Sequence, residues 1–270
     1  MPTSRNTGLV EHRRPLALLQ LICLIITVGM AHAWAQPLTI YTEELPPLQL
    51  VKNGEVQTGY AYELLMAVLK EADLNANLLV YPWPRAMKLT RQNRNAFILS
   101  MIRSPEREAN YIWVIKLLSL KPQLVKLRTN TEVQVVTIDD VSYYKVGAIR
   151  GDYGEEFLRS IGLSEKKENL YLAVKYDNMW KMLFNHRLDM VFANPLTAKQ
   201  ESLKAGLPAN SLQAVMDIQG IQSDLYLGAN LETDPQLVNK IRQAYKKLLA
   251  DGTLPRIKTY WLQKLSLQTN

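Results

Sequence analysis

Cysteine is almost missing from this 270-residue sequence, which holds only Cys23. A disulfide framework, a multi-cysteine zinc site and a thioredoxin-type pair are therefore excluded. Histidine is scarce too, with three residues, and there is no His-Glu-x-x-His pair, no Gly-x-Ser-x-Gly elbow and no Walker-type glycine loop. Low-complexity tracts, long runs of like charge and internal repeats are likewise missing, so disordered, collagen-like and coiled-coil readings fall away. What remains is 47% hydrophobic and 21% charged, the composition of a packed globular protein long enough for one or two domains. The formal charge of +7 would suit nucleic acid, an anionic membrane or a small anionic ligand.

Residues 1–35 read as an export leader. Arg5, Arg13 and Arg14 precede an apolar run from Leu16 to Met30, which is followed by Ala33-Trp34-Ala35. That order is a basic region, a hydrophobic stretch too short to cross a bilayer, and a small-x-small cleavage site, with the cut expected before Gln36. Cleavage removes three Arg and one Glu, leaving 235 residues with a charge of +5. Cys23, His12 and His32 go with the leader, so the mature chain is free of cysteine and suits an oxidising compartment such as a periplasm.

From Leu38 onward β-rich runs alternate with helical periodicity. The runs cover residues 38–42, 77–81, 96–102, 144–149, 170–174, 189–193 and 224–229. Ala61, Leu64, Leu65, Val68 and Leu69 share one helical face, and Met179, Met182, Leu183 and His186 repeat the spacing, which makes His186 a partly buried structural residue. A third helix over Val238–Leu249 stops at Asp251-Gly252. This alternation predicts an α/β architecture with mainly parallel sheets, and SLKPQLVK at 119–126 reads as a strand crossing between two domains.

Trp83-Pro84, Ser104-Pro105 and Asn194-Pro195 read as helix starts, because proline fits the first helical position and Ser and Asn cap well. Gly151-Asp152-Tyr153-Gly154, straight after a strand, is a fourth. Such starts present free N–H groups and attract anions, and Arg85, Arg103, Arg107 and Arg150 cluster at or near them. A guanidinium at 107 can grip a carboxylate with two parallel bonds, though an ion pair with Glu106 or Glu108 explains it equally. Trp83 beside Arg85 offers a stacking wall, or else packs as a helix-capping hydrophobe, and Tyr60 offers either an aromatic face or core packing. Asp152 complements its helix dipole and Asn194 caps its helix, roles that need no ligand. Glu43 and Asp152 are the acids available for carboxylate chemistry, with nothing specific to mark them as catalytic.

In order and spacing, LTIYTEELPPL, NGEVQTGYAYELLMAVLKEA, YPWPRAM, ILSMIRSPERE, YYKVGAIRGDYGEEFL, HRLDMVFANP and KIRQAYKKLLADGTLPRI resemble the periplasmic solute-binding proteins of family 3, the polar-amino-acid ABC-transporter class. The resemblance spans about residues 37 to 262 and implies the type 2 fold: two α/β lobes, each a mainly parallel sheet flanked by helices, joined by two hinge strands. Lobe 1 is expected at 36–120 and 223–270 and lobe 2 at 121–222. It further implies that Arg107 binds the ligand carboxylate with Ser100 on the strand leading to it, that Glu43 lines the cleft, and that Asp152 and Tyr153 contact the ligand from lobe 2. Asn194 stands where the family carries the acid that pairs the ligand ammonium, and Gly59-Tyr60-Ala61 replaces the usual Gly-Phe-Asp. The resulting expectation is a monomeric periplasmic protein that captures a small carboxylate-bearing solute for an inner-membrane ABC permease, with Arg103, Arg85, Trp83 and Tyr60 completing the cleft. No cofactor, metal or nucleic acid is expected. A cyclohexadienyl-dehydratase-like enzyme and a permease-independent sensor are the alternatives on the same scaffold.

Overall fold

The computed structural model describes residues 38–218 and 223–267; the expected leader lies outside them. The described residues open with β1 (Leu38–Thr42), a hairpin of β2 (Leu50–Lys52) and β3 (Glu55–Thr58), then β4 (Ala76–Val80), β5 (Ala96–Ile102) and β6 (Ile112–Ser119). There follow β7 (Gln123–Leu127), β8 (Val146–Ile149), β9 (Leu170–Ala173), β10 (Met190–Ala193), β11 (Leu212–Asp217) and β12 (Asp224–Ala229). Apart from the β2–β3 hairpin, they form two five-stranded sheets, ordered β4-β1-β5-β12-β6 and β11-β7-β10-β8-β9. In each sheet four strands run the same way, and the exception is β12 in the first and β7 in the second. Those two exceptions are the strands that arrive from the other sheet. The first crossing, from β6 to β7, is only Leu120–Pro122 and falls inside the expected segment 119–126.

Helices cover both sheets: α1 (Tyr60–Glu71), α2 (Trp83–Gln92), α3 (Tyr153–Ser160), α4 (Tyr176–Phe184), α5 (Pro195–Lys204), α6 (Pro235–Ala250) and α7 (Thr253–Leu267). The stripe of α1 at Ala61, Leu64, Leu65, Val68 and Leu69 is buried to 2% exposure or less, and each Leu or Val so placed contributes about 1.5–3 kcal/mol. That helix is also tied to α7, where Trp261 Nε1 donates to Glu63 Oε2 at 2.9 Å. We call the first sheet with α1, α2, α6 and α7 one lobe, and the second with α3, α4 and α5 the other.

Three expected helix starts carry helices. Asn194 Oδ1 accepts from Leu196 N at 2.9 Å, so Asn194 caps as read, and Asp152, read as complementing the dipole, also takes the cap position, its Oδ1 accepting from Tyr153 N at 2.6 Å. Ser104-Pro105 does not start an α-helix: it opens a turn and a 3-10 segment, Glu108–Asn110. With β6 beginning at Ile112, too little chain is left to recover the cost of a helical nucleus. His186 is also corrected. Helix α4 ends at Phe184, and His186 sits exposed in the following turn with φ 53°, not on the buried face.

Candidate functional site

Residues at the carboxyl ends of parallel strands from both sheets converge on one cleft, the place where open α/β sheets leave a crevice. Glu43 follows β1, Tyr81 follows β4, Asp152 lies beyond β8, Tyr176 beyond β9 and Asn194 directly after β10. The cleft has an inner chamber of about 50 Å³, reaching Trp83, Ser100, Asp152 and Asn194, and an outer one of about 270 Å³, reaching Tyr81, Pro82 and Lys175. Glu43, Tyr176 and Glu201 line both.

Ser100 reaches the inner chamber through a bulge. Between the pairs Gly228–Ile98 and Tyr226–Met101, β12 contributes one residue and β5 two, and Ser100 takes φ 64°. A positive φ in a strand costs energy for a residue with a Cβ, and it turns a side chain that would otherwise follow the pleat. Gln49 Nε2 donates to Ser100 Oγ and holds it there.

Three carboxylates meet in the cleft, Glu43 and Glu201 where the chambers join and Asp152 in the inner one. Burial pushes the Glu43 carboxyl well above the usual range; the charges of Asp152 and Glu201 push the same way, against a hydrogen bond from Tyr176 OH at 3.4 Å. Asp152 is raised by burial in spite of Arg107 and the Tyr153 N–H. Glu201 is only 3% exposed; burial pushes its carboxyl up to about 7 against the opposing pull of Thr197 and Trp180. Its Oε2 accepts from Trp180 Nε1 at 2.8 Å, while its buried Oε1 has no hydrogen-bond partner. The Nδ2 of Asn194 is unpartnered as well, although its Oδ1 caps α5.

Arg107 is 2% exposed and lies behind Trp83, whose ring centre is 5.9 Å from its Cζ. Its guanidinium is already engaged across the lobes. Nε donates to Glu156 Oε1 at 2.7 Å and Nη2 to the Gly151 carbonyl at 3.1 Å, while Nη1 turns back to Ile102 O at 3.3 Å. Ser104 Oγ donates to the other Glu156 oxygen at 2.8 Å, and Trp83 Nε1 donates to the same Gly151 carbonyl at 3.0 Å. Arg107 and Ser104 thus hold a carboxylate, but one that belongs to α3. At the mouth Lys204 of α5 pairs with Glu44.

Of the residues expected in the site, Glu43, Trp83, Ser100, Asp152 and Asn194 line the cleft. The others are placed elsewhere. Tyr60 is a core residue whose hydroxyl donates to Leu117 O at 2.8 Å, because α1 turns this position inward. Tyr153 is 7% exposed and packs edge-on against Phe192 with ring centres 6.0 Å apart. Arg103 leaves the cleft to pair with Glu108 and cover Trp113 and Tyr226, and Arg85 lies over Tyr81 at 4.4 Å with its charge exposed. Tyr176, Thr197 and Glu201 were not anticipated. The i,i+4 pair Thr197 and Glu201 is visible in the sequence, but only the docking of α5 shows that this face looks into the cleft.

The sequence matches the bacterial extracellular solute-binding proteins, family 3, over residues 38–264. The chain belongs to that family. Solved structures extend the likeness to the fold of family 3 and its neighbours. A histidine kinase sensor domain with similarity to periplasmic binding proteins has a TM-score of 0.74 at 14% identity, over 84% of this chain and 96% of that one. The arginine-, lysine-, histidine-binding protein ArtJ from Geobacillus stearothermophilus gives 0.71 at 17%, over 86% and 100%. The GluR0 ligand-binding core from Nostoc punctiforme in complex with L-glutamate gives 0.69 at 18%, over 83% and 99%. At these identities the structures share a fold, and what each binds is its own. No curated protein sequence matches the chain. Among the described residues no helix is long and apolar enough to cross a membrane, and no group of three His, Cys, Asp or Glu could hold a metal ion.

Proposed function

We propose that this family 3 protein works in the periplasm, capturing a small nitrogenous solute between its lobes and presenting the closed form to an inner-membrane ABC permease. The observation that carries the reading is the cleft itself, walled by strand ends of both sheets and bridged by the bonds of Trp83 and Arg107 to Gly151. A solute touching Glu43 on one side and Asp152, Asn194 and Glu201 on the other stabilises the closed state by its differential affinity for it. The carboxylate expected of the ligand enters at Arg107 only by displacing Glu156.

A melting-temperature screen of the protein, expressed with its leader and recovered from the periplasm, tests this against amino acids, amines, dicarboxylates and opines. One chemical class raises the melting temperature, since a ligand at a hundred times its Kd adds about 2.7 kcal/mol to the folded state. The recovered chain begins at Gln36. A flat screen contradicts solute capture. Turnover of prephenate or arogenate in an absorbance assay would instead favour the enzyme reading, for which the raised carboxyl of Glu201 is a ready general acid.

A further inference from the structure

We propose that the cleft is built for an organic cation lacking a carboxylate, an amine or guanidinium whose head enters the inner chamber, and that Glu156 takes on Arg107 the place a ligand carboxylate would need. The inference rests on solute capture in this cleft and names the class of solute.

Charge is the first argument. Glu43, Asp152 and Glu201 converge on the chamber, and the nearest guanidinium, Arg107, is spent on Glu156 and does not line either chamber. A ligand carboxylate would bring a further anion to carboxyls whose ionisation burial already opposes, whereas a cation favours their charged forms. The second argument is an orphan acceptor. Glu201 Oε1 is buried in a residue 3% exposed and has no hydrogen-bond partner, a cost that an arriving donor removes. An ammonium or guanidinium is all donor, and Asn194 Nδ2 is the one orphan donor there to set against three carboxylates.

Size and shape agree. At 10–15 Å³ per water-sized group, the inner chamber of about 50 Å³ holds roughly three to five such groups, room for an ammonium or guanidinium head. The outer chamber, with Tyr81, Pro82 and Val174, takes an apolar stem, and Glu44 with Lys204 at its rim leaves room for a second polar end. A bare metal ion is a poor occupant, because no group of three acids or histidines among the described residues is arranged to ligate one.

Matched pairs that differ only by the carboxylate isolate the claim: putrescine against ornithine, cadaverine against lysine, agmatine against arginine, each titrated calorimetrically into the full mature protein. In at least one pair the decarboxylated member binds tenfold or more tighter than its amino acid. Glu156→Ala, and Glu156→Gln should the first variant fold poorly, frees Arg107 and moves the preference within that pair at least tenfold toward the amino acid. Amino acids binding as tightly as their amines in every pair, or a preference unmoved by either variant, overturns the inference and leaves solute capture standing. No heat from any of the six overturns it as well, and solute capture falls with it only if the wider melting screen is also flat.

Discussion

At the scale of single residues, Arg107 changes most between sequence and structure. Its spacing suits a carboxylate anchor and an ion pair equally, the family resemblance implies the anchor, and the structure supplies a carboxylate from the chain itself, at 2.7 Å on Glu156. Arg107→Ala therefore acts on the unliganded protein. The guanidinium side chain is 3% exposed and Glu156 is 21%, so the stranded carboxylate is partly hydrated, and the loss is about 2 kcal/mol, less than for a fully buried pair. In a thermal melt of the ligand-free variant this appears as a drop of roughly 4–8 °C; an unchanged melting temperature contradicts the latch. Glu43, Asp152 and Asn194 were legible through the family resemblance, which their places after strands or at helix starts let the sequence be laid against. Glu156 and Glu201 were not, because a carboxylate on a helix reads as a solvated charge until its neighbours are known.

At the scale of elements, the helix α1 was readable from its apolar stripe, and β1, β5 and β12 match their runs residue for residue. The β2–β3 hairpin escaped because its strands are three and four residues long and mostly polar, although Asn53-Gly54 with φ 55° and 81° is the two-residue turn such a hairpin needs. β6 escaped because an apolar run without alternation suits a strand or a buried helix equally. Gly59, entering α1, is a residue the fold cannot exchange. Its φ is 136°, and a Cβ there would sit 2.3 Å from the Leu48 carbonyl oxygen, which is backbone and cannot swing aside. Gly59→Ala destabilises the protein by about 2–4 kcal/mol, seen as a lower urea midpoint with an unchanged slope; a midpoint within error of the parent contradicts the close approach.

For the whole molecule, the acids set opposite pH dependences in two ranges. Glu43, Asp152 and Glu201 hold their protons more tightly folded than unfolded, so their contribution to stability is full below the unfolded values and is lost as pH rises through the folded ones. For Glu201 that window runs from the usual 4.5 to about 7, and at about 1.4 kcal/mol per unit it is worth on the order of 3 kcal/mol. Glu108, Asp140, Glu165 and Asp251 lie at the surface and are lowered by arginines, by N–H groups or, at Asp251, first by the Thr253 hydroxyl, so they lose stability only as pH falls below the ordinary carboxylate range. The ligand-free melting temperature consequently rises by several degrees from pH 8 to pH 5 and falls again below pH 4; a monotonic rise up to pH 8 contradicts the buried acid cluster. On the proposed reading, these cleft acids trade stability for recognition of a cation. Titrating whichever of putrescine, cadaverine and agmatine binds tightest into the protein carrying Glu or Gln at 201, by calorimetry at pH 8, is the most direct test of cation capture in this cleft. The account predicts one site in the parent and at least tenfold weaker binding in Glu201→Gln, together with a higher ligand-free melting temperature. Equal affinity in the two proteins, or no heat in the parent, would contradict it.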